Sequence, residues 1–409
     1  MRIPKHNFLT SLYQILFIVF IISTLFDPMD KLFGLKIYLF ILCMSYGFLL
    51  YLTNPNMPKI PIKLIIYITL MIFIPLLSIA HYYFIDSSSP FEGFSLFKSY
   101  IFITFALLIY ITNIDIFKYL SICLVGLSLT IMLVSLIVTI FPNLFFPLYL
   151  FGNDFGIFSI DPGRDYGAAG TYFQMYFVTS SMIVVSIAYF FDKWWKSEHN
   201  NKLYLILFLI SVFSMFLAGS RNNMLMAILL PLVLFWTYSS EKFFISIFYL
   251  IGFLVTMIIV KDQILSLFDA SEISNFYKLM TLNDYIYLFI NDIYSFIFGQ
   301  GLGAYMDWSG RGFTFVTELT YFELIRNYGI FGALIIFSLM IYPVIYAFFL
   351  KPNYKYKHII WAYICYLVMS FTNPLFFSSM GMLILSAILA SICTHDKLNK
   401  ENISHSKTI

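Results

Sequence analysis

Charge is scarce in this 409-residue chain: only 11% of its residues are Asp, Glu, Lys or Arg, against 61% hydrophobic. A water-soluble globule of this length cannot cover its surface with so few charges, and a mean hydropathy of +0.86 says the same; the surrounding solvent is largely lipid. The net charge of +3 excludes the strongly basic footprint of a nucleic-acid-binding protein. Cysteine is scarce too. Cys43, Cys123, Cys365 and Cys393 fall inside apolar runs with no CxxC or Cys/His spacing, which excludes a disulfide framework and suggests no zinc or other metal site. The first apolar run, Phe8 to Phe26, follows the basic residues Arg2 and Lys5 but lacks a small-residue cleavage site, so it reads as a retained helix. No internal repeat of the kind common in transporters is evident.

What the chain does contain is long apolar runs. About 20 apolar residues in a helix cross the ~30 Å hydrocarbon core of a bilayer. Twelve runs qualify: Phe8–Phe26, Phe33–Leu52, Ile62–Phe84, Leu96–Thr112, Phe117–Phe141, Thr171–Phe191, Leu203–Ala218, Asn223–Tyr238, Phe243–Val260, Ile330–Leu350, His358–Phe371 and Met380–Thr394. The expected fold is all-α, a single polytopic transmembrane bundle over 1–409 with about twelve spans. Cytoplasmic loops accumulate Lys and Arg. With both termini cytoplasmic, fifteen basic residues fall inside and nine outside, and six acids inside against fifteen outside.

Two connections on the outer side exceed what a bundle needs, at 142–170 and 261–318; long ordered loops usually carry function. Within the second, Ile273 to Phe298 mixes apolar residues with tyrosines and aspartates, and could form helices lying on the outer surface of the bundle.

Arginine is the most informative residue. There are five, and only Arg2 lies on the expected cytoplasmic side. Arg164, Arg221, Arg311 and Arg326 all sit where the charge rule disfavours them. A guanidinium is planar, permanently charged and forked, so it binds phosphate or carboxylate through paired hydrogen bonds that an ammonium cannot reproduce. The alternative is that each arginine pairs with a nearby acid or reaches for lipid headgroups.

Arg164 lies between Asp161 and Asp165 in a glycine-rich segment that leads to an expected helix start at Thr171, where backbone amides could face an anion. The two aspartates could equally hold Arg164 in a surface triad. Arg221 occupies a turn, Ala218-Gly-Ser-Arg-Asn-Asn223, too short to leave the membrane surface. Phe298-Gly-Gln-Gly-Leu-Gly lacks the strand-then-helix context of a dinucleotide fingerprint and reads as flexible or closely approached backbone. In the segment from Thr317, a cap at that residue would put Glu323 and Arg326 on one helix face with Glu318 within a turn of its start. The pair could simply neutralise itself. A helix from Thr317 to Leu350 would be about 50 Å long, so its charged opening turns must protrude or break at Gly329. His81 reads as an interfacial residue, and Asn373-Pro374 as a break exposing backbone groups.

The Gly219-Ser-Arg turn, the Phe-Gly-Gln-Gly-Leu-Gly stretch, the Glu-containing helix ending Tyr-Gly-Ile-Phe-Gly and Thr372-Asn-Pro-Leu-Phe together resemble the O-antigen polymerase family, over most of the chain. The same turn and helix also resemble those of O-antigen ligases, which are expected to carry a functional histidine in the long outer loop; Lys261 to Glu318 contains none. The resemblance implies a glycosyltransferase in the bacterial inner membrane. It would move a growing glycan from undecaprenyl pyrophosphate to the non-reducing end of a lipid-linked repeat unit at the periplasmic face. It implies Arg221 and Arg311 as stabilisers of the departing pyrophosphate, Glu318 as acceptor base with Glu323 or Asp165 as alternatives, and Arg164, Arg326, Asp161, Asp165 and Asn373 as binding residues. No metal or cofactor is called for. The implied partners are the lipid-linked oligosaccharide, membrane lipid and a chain-length regulator. A polysaccharide flippase is the rival from another class, but transporters place polar residues near the bilayer midplane.

Overall fold

The computed structural model describes residues 5–53, 58–86, 90–165, 171–197, 201–238, 273–309, 312–351 and 353–406, with the backbone alone at 5–11, 85–86, 161–165, 171–174, 273–274 and 399–406. The expected ninth span, Phe243–Val260, and Arg311 lie outside the described residues. Helix dominates at 79%, and among the described residues six helices are long and apolar enough to cross a membrane. The chain is an all-α membrane protein in that sense. It divides into two compact units, one of Met1–Tyr46, Asp115–Phe268 and Tyr356–Met369, the other of Gly47–Ile114, Asp269–Lys355 and Ser370–Ile409.

In chain order the helices are α1 (Lys5–Phe26), α2 (Lys36–Thr53), α3 (Ile62–Asp86), α4 (Phe91–Ile101), α5 (Phe105–Thr112), α6 (Ile116–Ile140), α7 (Phe145–Phe155), α8 (Ile183–Lys196), α9 (Lys202–Leu217) and α10 (Arg221–Tyr238). Then come α11 (Ile273–Asn291), α12 (Ile293–Phe298), α13 (Thr320–Ile345), α14 (Lys357–Met369) and α15 (Ser379–Ser406). Two antiparallel hairpins interrupt them, β1 (Phe158–Asp165) with β2 (Thr171–Phe177) and β3 (Met306–Trp308) with β4 (Gly312–Thr314).

The first hairpin corrects the sequence reading. Thr171 opens a strand, and the helix of the sixth expected span starts only at Ile183. The sequence Thr-Tyr-Phe-Gln-Met-Tyr-Phe is rich in the aromatic residues that suit a pleated surface, and β1 is there to pair with it. Its register slips between Asp161 and Arg164, where Pro162 has no N–H for the ladder. The segment 142–170 is accordingly no plain loop, since it also contains α7.

In the first unit the core is α8. Its residues from Ile183 to Phe191 are buried on every side, as befits a stretch that is apolar on nearly every face and enclosed by α6, α9, α10 and α14. Small hydroxyls fasten it. Ser186 Oγ donates to Ser211 Oγ of α9 at 3.0 Å, and Thr179 just ahead donates to the Leu25 carbonyl of α1 at 2.8 Å. Such bonds orient helices where hydrophobic contrast with the solvent is weak.

In the second unit α15 is enclosed from Met380 to Cys393 and packs against α5, where Ser386 Oγ lies 3.1 Å from the Phe102 carbonyl. The expected helices in 273–298 are present as α11 and α12. Beside them, α13 breaks at Gly329 (φ 66°, ψ 172°), inside what would otherwise be one long rod. That break follows from a close approach: a Cβ on Gly299 would lie 2.5 Å from the Gly329 amide nitrogen, and one on Gly329 would overlap the Ile297 carbonyl oxygen. Only two glycines allow the end of α12 to cross α13 there.

Candidate functional site

Among the described residues, the head of α13 holds the densest polar cluster. The helix begins at Thr320 with Leu319 as its N-cap, so Thr317 does not cap it. Thr320 Oγ1 instead donates to the Asn373 carbonyl at 2.9 Å, which fills the backbone acceptor that the Asn373-Pro374 break sets free. Glu323 and Arg326 share a face, as three-residue spacing requires, and form an ion pair.

Arg326 is fully buried, and all five of its guanidinium N–H groups have partners. Nε donates to Glu323 Oε2 at 3.2 Å and Nη2 to Glu323 Oε1, the two-pronged geometry that only arginine offers. The remaining three reach the Phe315 carbonyl at 2.8 Å, the Ala304 carbonyl at 2.7 Å and Gln300 Oε1 at 3.4 Å. The Trp308 ring lies over the guanidinium at 5.7 Å. Arg326 therefore stitches α13 to the backbone of 300–315, and its reading as a phosphate ligand on an open surface is corrected: no N–H is left to offer. A charge so deep persists only when every donor is satisfied.

Glu323 is likewise occupied. Beyond Arg326 it accepts from Asn327 Nδ2 at 3.2 Å, from the Thr317 hydroxyl at 3.2 Å and from the Tyr285 hydroxyl of α11. Burial, followed by the field of Glu323, pushes the Tyr285 phenol well above its ordinary range, so it stays protonated and donates. A carboxylate with roughly four lone-pair sites has none spare after these contacts, which removes Glu323 as an alternative acceptor base. The reading in which the pair neutralises itself is the one the geometry bears out.

Glu318 differs. Its side chain is 31% exposed and lies 3.7 Å from Lys278 Nζ of α11. It follows Thr317 directly, so the buried cluster fixes its position while leaving it reachable. Asp284 of α11 accepts from the Ser309 amide and hydroxyl at 2.9 and 2.6 Å, tying the β3–β4 hairpin to the same helix. Beneath it, Tyr285, Trp308 and Leu319 form a small core with Phe289 and Phe322. Sequence reasoning missed Tyr285, Trp308 and Gln300; one tyrosine among 31 carries no mark of its partner.

The Gly-Ser-Arg turn belongs to the first unit. Gly219 takes a left-handed φ of 65° to end α9, and Ser220 Oγ accepts the Asn223 amide at 3.2 Å as the cap of α10. Arg221 is the first residue of α10 and half-buried. Asn223 is fully buried, donating to Ser180 Oγ at 2.8 Å and accepting from Ser181 Oγ at 3.0 Å, which locks the turn onto the start of α8. A cation at a helix N-terminus opposes the helix dipole, where an anion would be favoured. Arg221 thus adds positive potential to an end already positive.

Asp161, Arg164 and Asp165 lie on β1, with Arg164 paired to Tyr172 and Asp165 to Thr171; their side chains lie outside what the structure describes. The expected helix start behind Arg164 is a strand, so no helix N-terminus stands there. His81 Nε2 lies 3.1 Å from the Tyr294 hydroxyl, an aromatic partnership that fits its interfacial reading. Arg164 and Arg221 belong to the first unit and Arg326 to the second. Compared with protein-family models, curated proteins and solved structures, the chain matches none.

Proposed function

We propose that the chain is a membrane glycosyltransferase of the O-antigen polymerase type, lengthening lipid-linked glycan at the periplasmic face of a bacterial inner membrane. The reading takes about twelve spans with both termini cytoplasmic. The observation that carries it is Glu318, a reachable carboxylate held beside Lys278 on a scaffold of buried hydrogen bonds at the head of an apolar helix. Arg221, held on a capped turn, supplies a second feature suited to an anionic substrate.

In the proposed step an acceptor hydroxyl oxygen on the incoming lipid-linked unit bonds to the anomeric carbon of the growing chain. The bond from that carbon to the undecaprenyl pyrophosphate oxygen breaks, and the lipid pyrophosphate leaves with the electron pair. Glu318 takes the hydroxyl proton. An arginine fork, for which Arg221 and Arg311 are the separate candidates, opposes the negative charge that builds on the leaving group, an interaction stronger in the transition state than before it. Glu323 and Arg326 position Glu318 and stay out of the chemistry.

The absence of histidine from Lys261 to Glu318 favours this reading over an O-antigen ligase. The test is to incubate the purified chain with lipid-linked repeat units and resolve the glycan products. A ladder of lengths is expected. Transfer only to lipid A core would establish a ligase, and movement of unlengthened units across vesicles a flippase; either replaces the proposal.

A further inference from the structure

Three helices of the second unit meet at one end: the start of α3, the close of α13 and the late turns of α15. Between them lies a cavity of about 390 Å³ walled by Leu64, Leu70, Leu339, Tyr342, Leu389 and Ile392, within the roughly 300–1,000 Å³ typical of ligand pockets. From Lys63 to Leu70 it follows α3 for about 10 Å at ~1.5 Å per residue.

Two of its few polar wall groups are already spent. Ser338 Oγ donates to the Leu334 carbonyl at 2.7 Å and the Tyr67 hydroxyl to the Leu339 carbonyl. Water needs two to four polar partners to occupy a cavity, and beyond the Tyr342 hydroxyl and the Cys393 thiol this wall is mainly hydrocarbon. Ile66 lines it while remaining 53% exposed, beside exposed Ile62 and Ile65, so the cavity opens on a lipid-facing side of α3.

The mouth is charged. Lys63, 42% exposed, pairs with Asp396 of α15 and lies 5.8 Å from the Tyr346 ring. Lys351, exposed just after the π-helical turn Tyr346–Leu350 that follows α13, donates its backbone amide to the Tyr346 carbonyl at 2.8 Å, and the Tyr346 hydroxyl in turn reaches Asp396, so Lys351 stands at the same end. Two ammonium groups against one carboxylate leave a net positive charge at the end of an apolar slot.

We propose that this cavity binds one acyl chain of an anionic glycerophospholipid, with the lipid phosphate held at Lys63 and Lys351. The slot supplies apolar burial and the lysines choose the headgroup. This inference is independent of the glycosyltransferase reading.

Native mass spectrometry of the full chain in detergent, with phosphatidylglycerol and phosphatidylcholine of matched chains, tests it. A net positive charge near a headgroup corresponds to about fivefold, so phosphatidylglycerol adducts should exceed phosphatidylcholine adducts by about that factor. The double variant Lys63→Gln/Lys351→Gln should bind both lipids equally. Ile66→Trp, placed on the exposed rim where folding tolerates it, should fill the slot and lose both. Equal adducts in the unaltered chain, a preference that survives the double variant, or undiminished binding to Ile66→Trp would overturn the site. Displacement of phosphatidylglycerol by polyprenyl phosphate at equal mole fraction would overturn its assignment to a glycerophospholipid. Melting temperatures without added lipid identify variants that misfold, and Lys351→Gln alone, at an exposed position, then carries the charge test.

Discussion

The Tyr285 hydroxyl donates to the Glu323 carboxylate across 38 residues of sequence, with both groups buried. This bond fastens α11 to the first turn of α13. Because Thr317 and Arg326 share the same carboxylate, α11, the segment before α13 and the first turns of α13 converge on one side chain.

Tyr285→Phe keeps the ring's packing and removes the donor, leaving Glu323 short of one partner. A lost buried bond to a charged group costs about 1.5–3 kcal/mol, and the melting temperature in detergent should fall accordingly. Thr317→Val should interact with it non-additively in a double-mutant cycle, because the two hydroxyls lie 2.5 Å apart. Strictly additive losses would show that they do not share the carboxylate.

Arg326→Lys preserves charge and removes two of five donors. The Ala304 and Phe315 carbonyls cannot both be reached by one ammonium that also holds Glu323. The expected loss is about 1–3 kcal/mol for each buried carbonyl left unpaired, read as poor accumulation in the membrane. Wild-type accumulation and melting would place Arg326 outside the scaffold.

Gly329→Ala forces a side chain into a backbone region that is nearly glycine's alone, costing about 1–3 kcal/mol, and its Cβ overlaps Ile297. Gly126→Ala is the contrast: it sits inside α6 with nothing within 4 Å, so alanine should stabilise by about 0.5–1 kcal/mol. Thermal melting of both variants distinguishes close approach from mere helix propensity.

Glu318→Gln and Arg221→Lys address the proposed chemistry. Both should accumulate normally, since each side chain is partly exposed. Glycan ladders should shorten, with turnover lowered about 10²–10⁴-fold for the missing base and about 10²–10³-fold for the missing fork. Unchanged ladders from either variant would remove that residue from the mechanism.

Hydropathy and periodicity made the helices legible, since a lipid solvent demands long apolar runs whatever their tertiary neighbours. The break at Gly329 was legible as well, because an unbroken helix would outrun the bilayer. The start at Thr171 was not: Thr-Tyr-Phe-Gln-Met-Tyr-Phe is apolar enough for a span, and only pairing with Phe158–Asp165 makes it a strand. At the site, three-residue spacing gave the Glu323–Arg326 pair but not its burial. That burial depends on Tyr285, Ala304 and Phe315, contributed by a distant helix and by backbone carbonyls that have no signature in the residue letters.

The break at Gly329 also bears on how α13 fits its membrane. From Ile330 to Leu350 the remaining rod is about 31 Å long at ~1.5 Å per residue, matching a hydrocarbon core of ~30 Å. An unbroken helix from Thr320 would have to tilt steeply or make the bilayer thicken around it, each at a modest elastic cost per ångström of mismatch. Two facing glycines relieve that mismatch, leaving Glu323 and Arg326 to be solvated by protein and never by acyl chains.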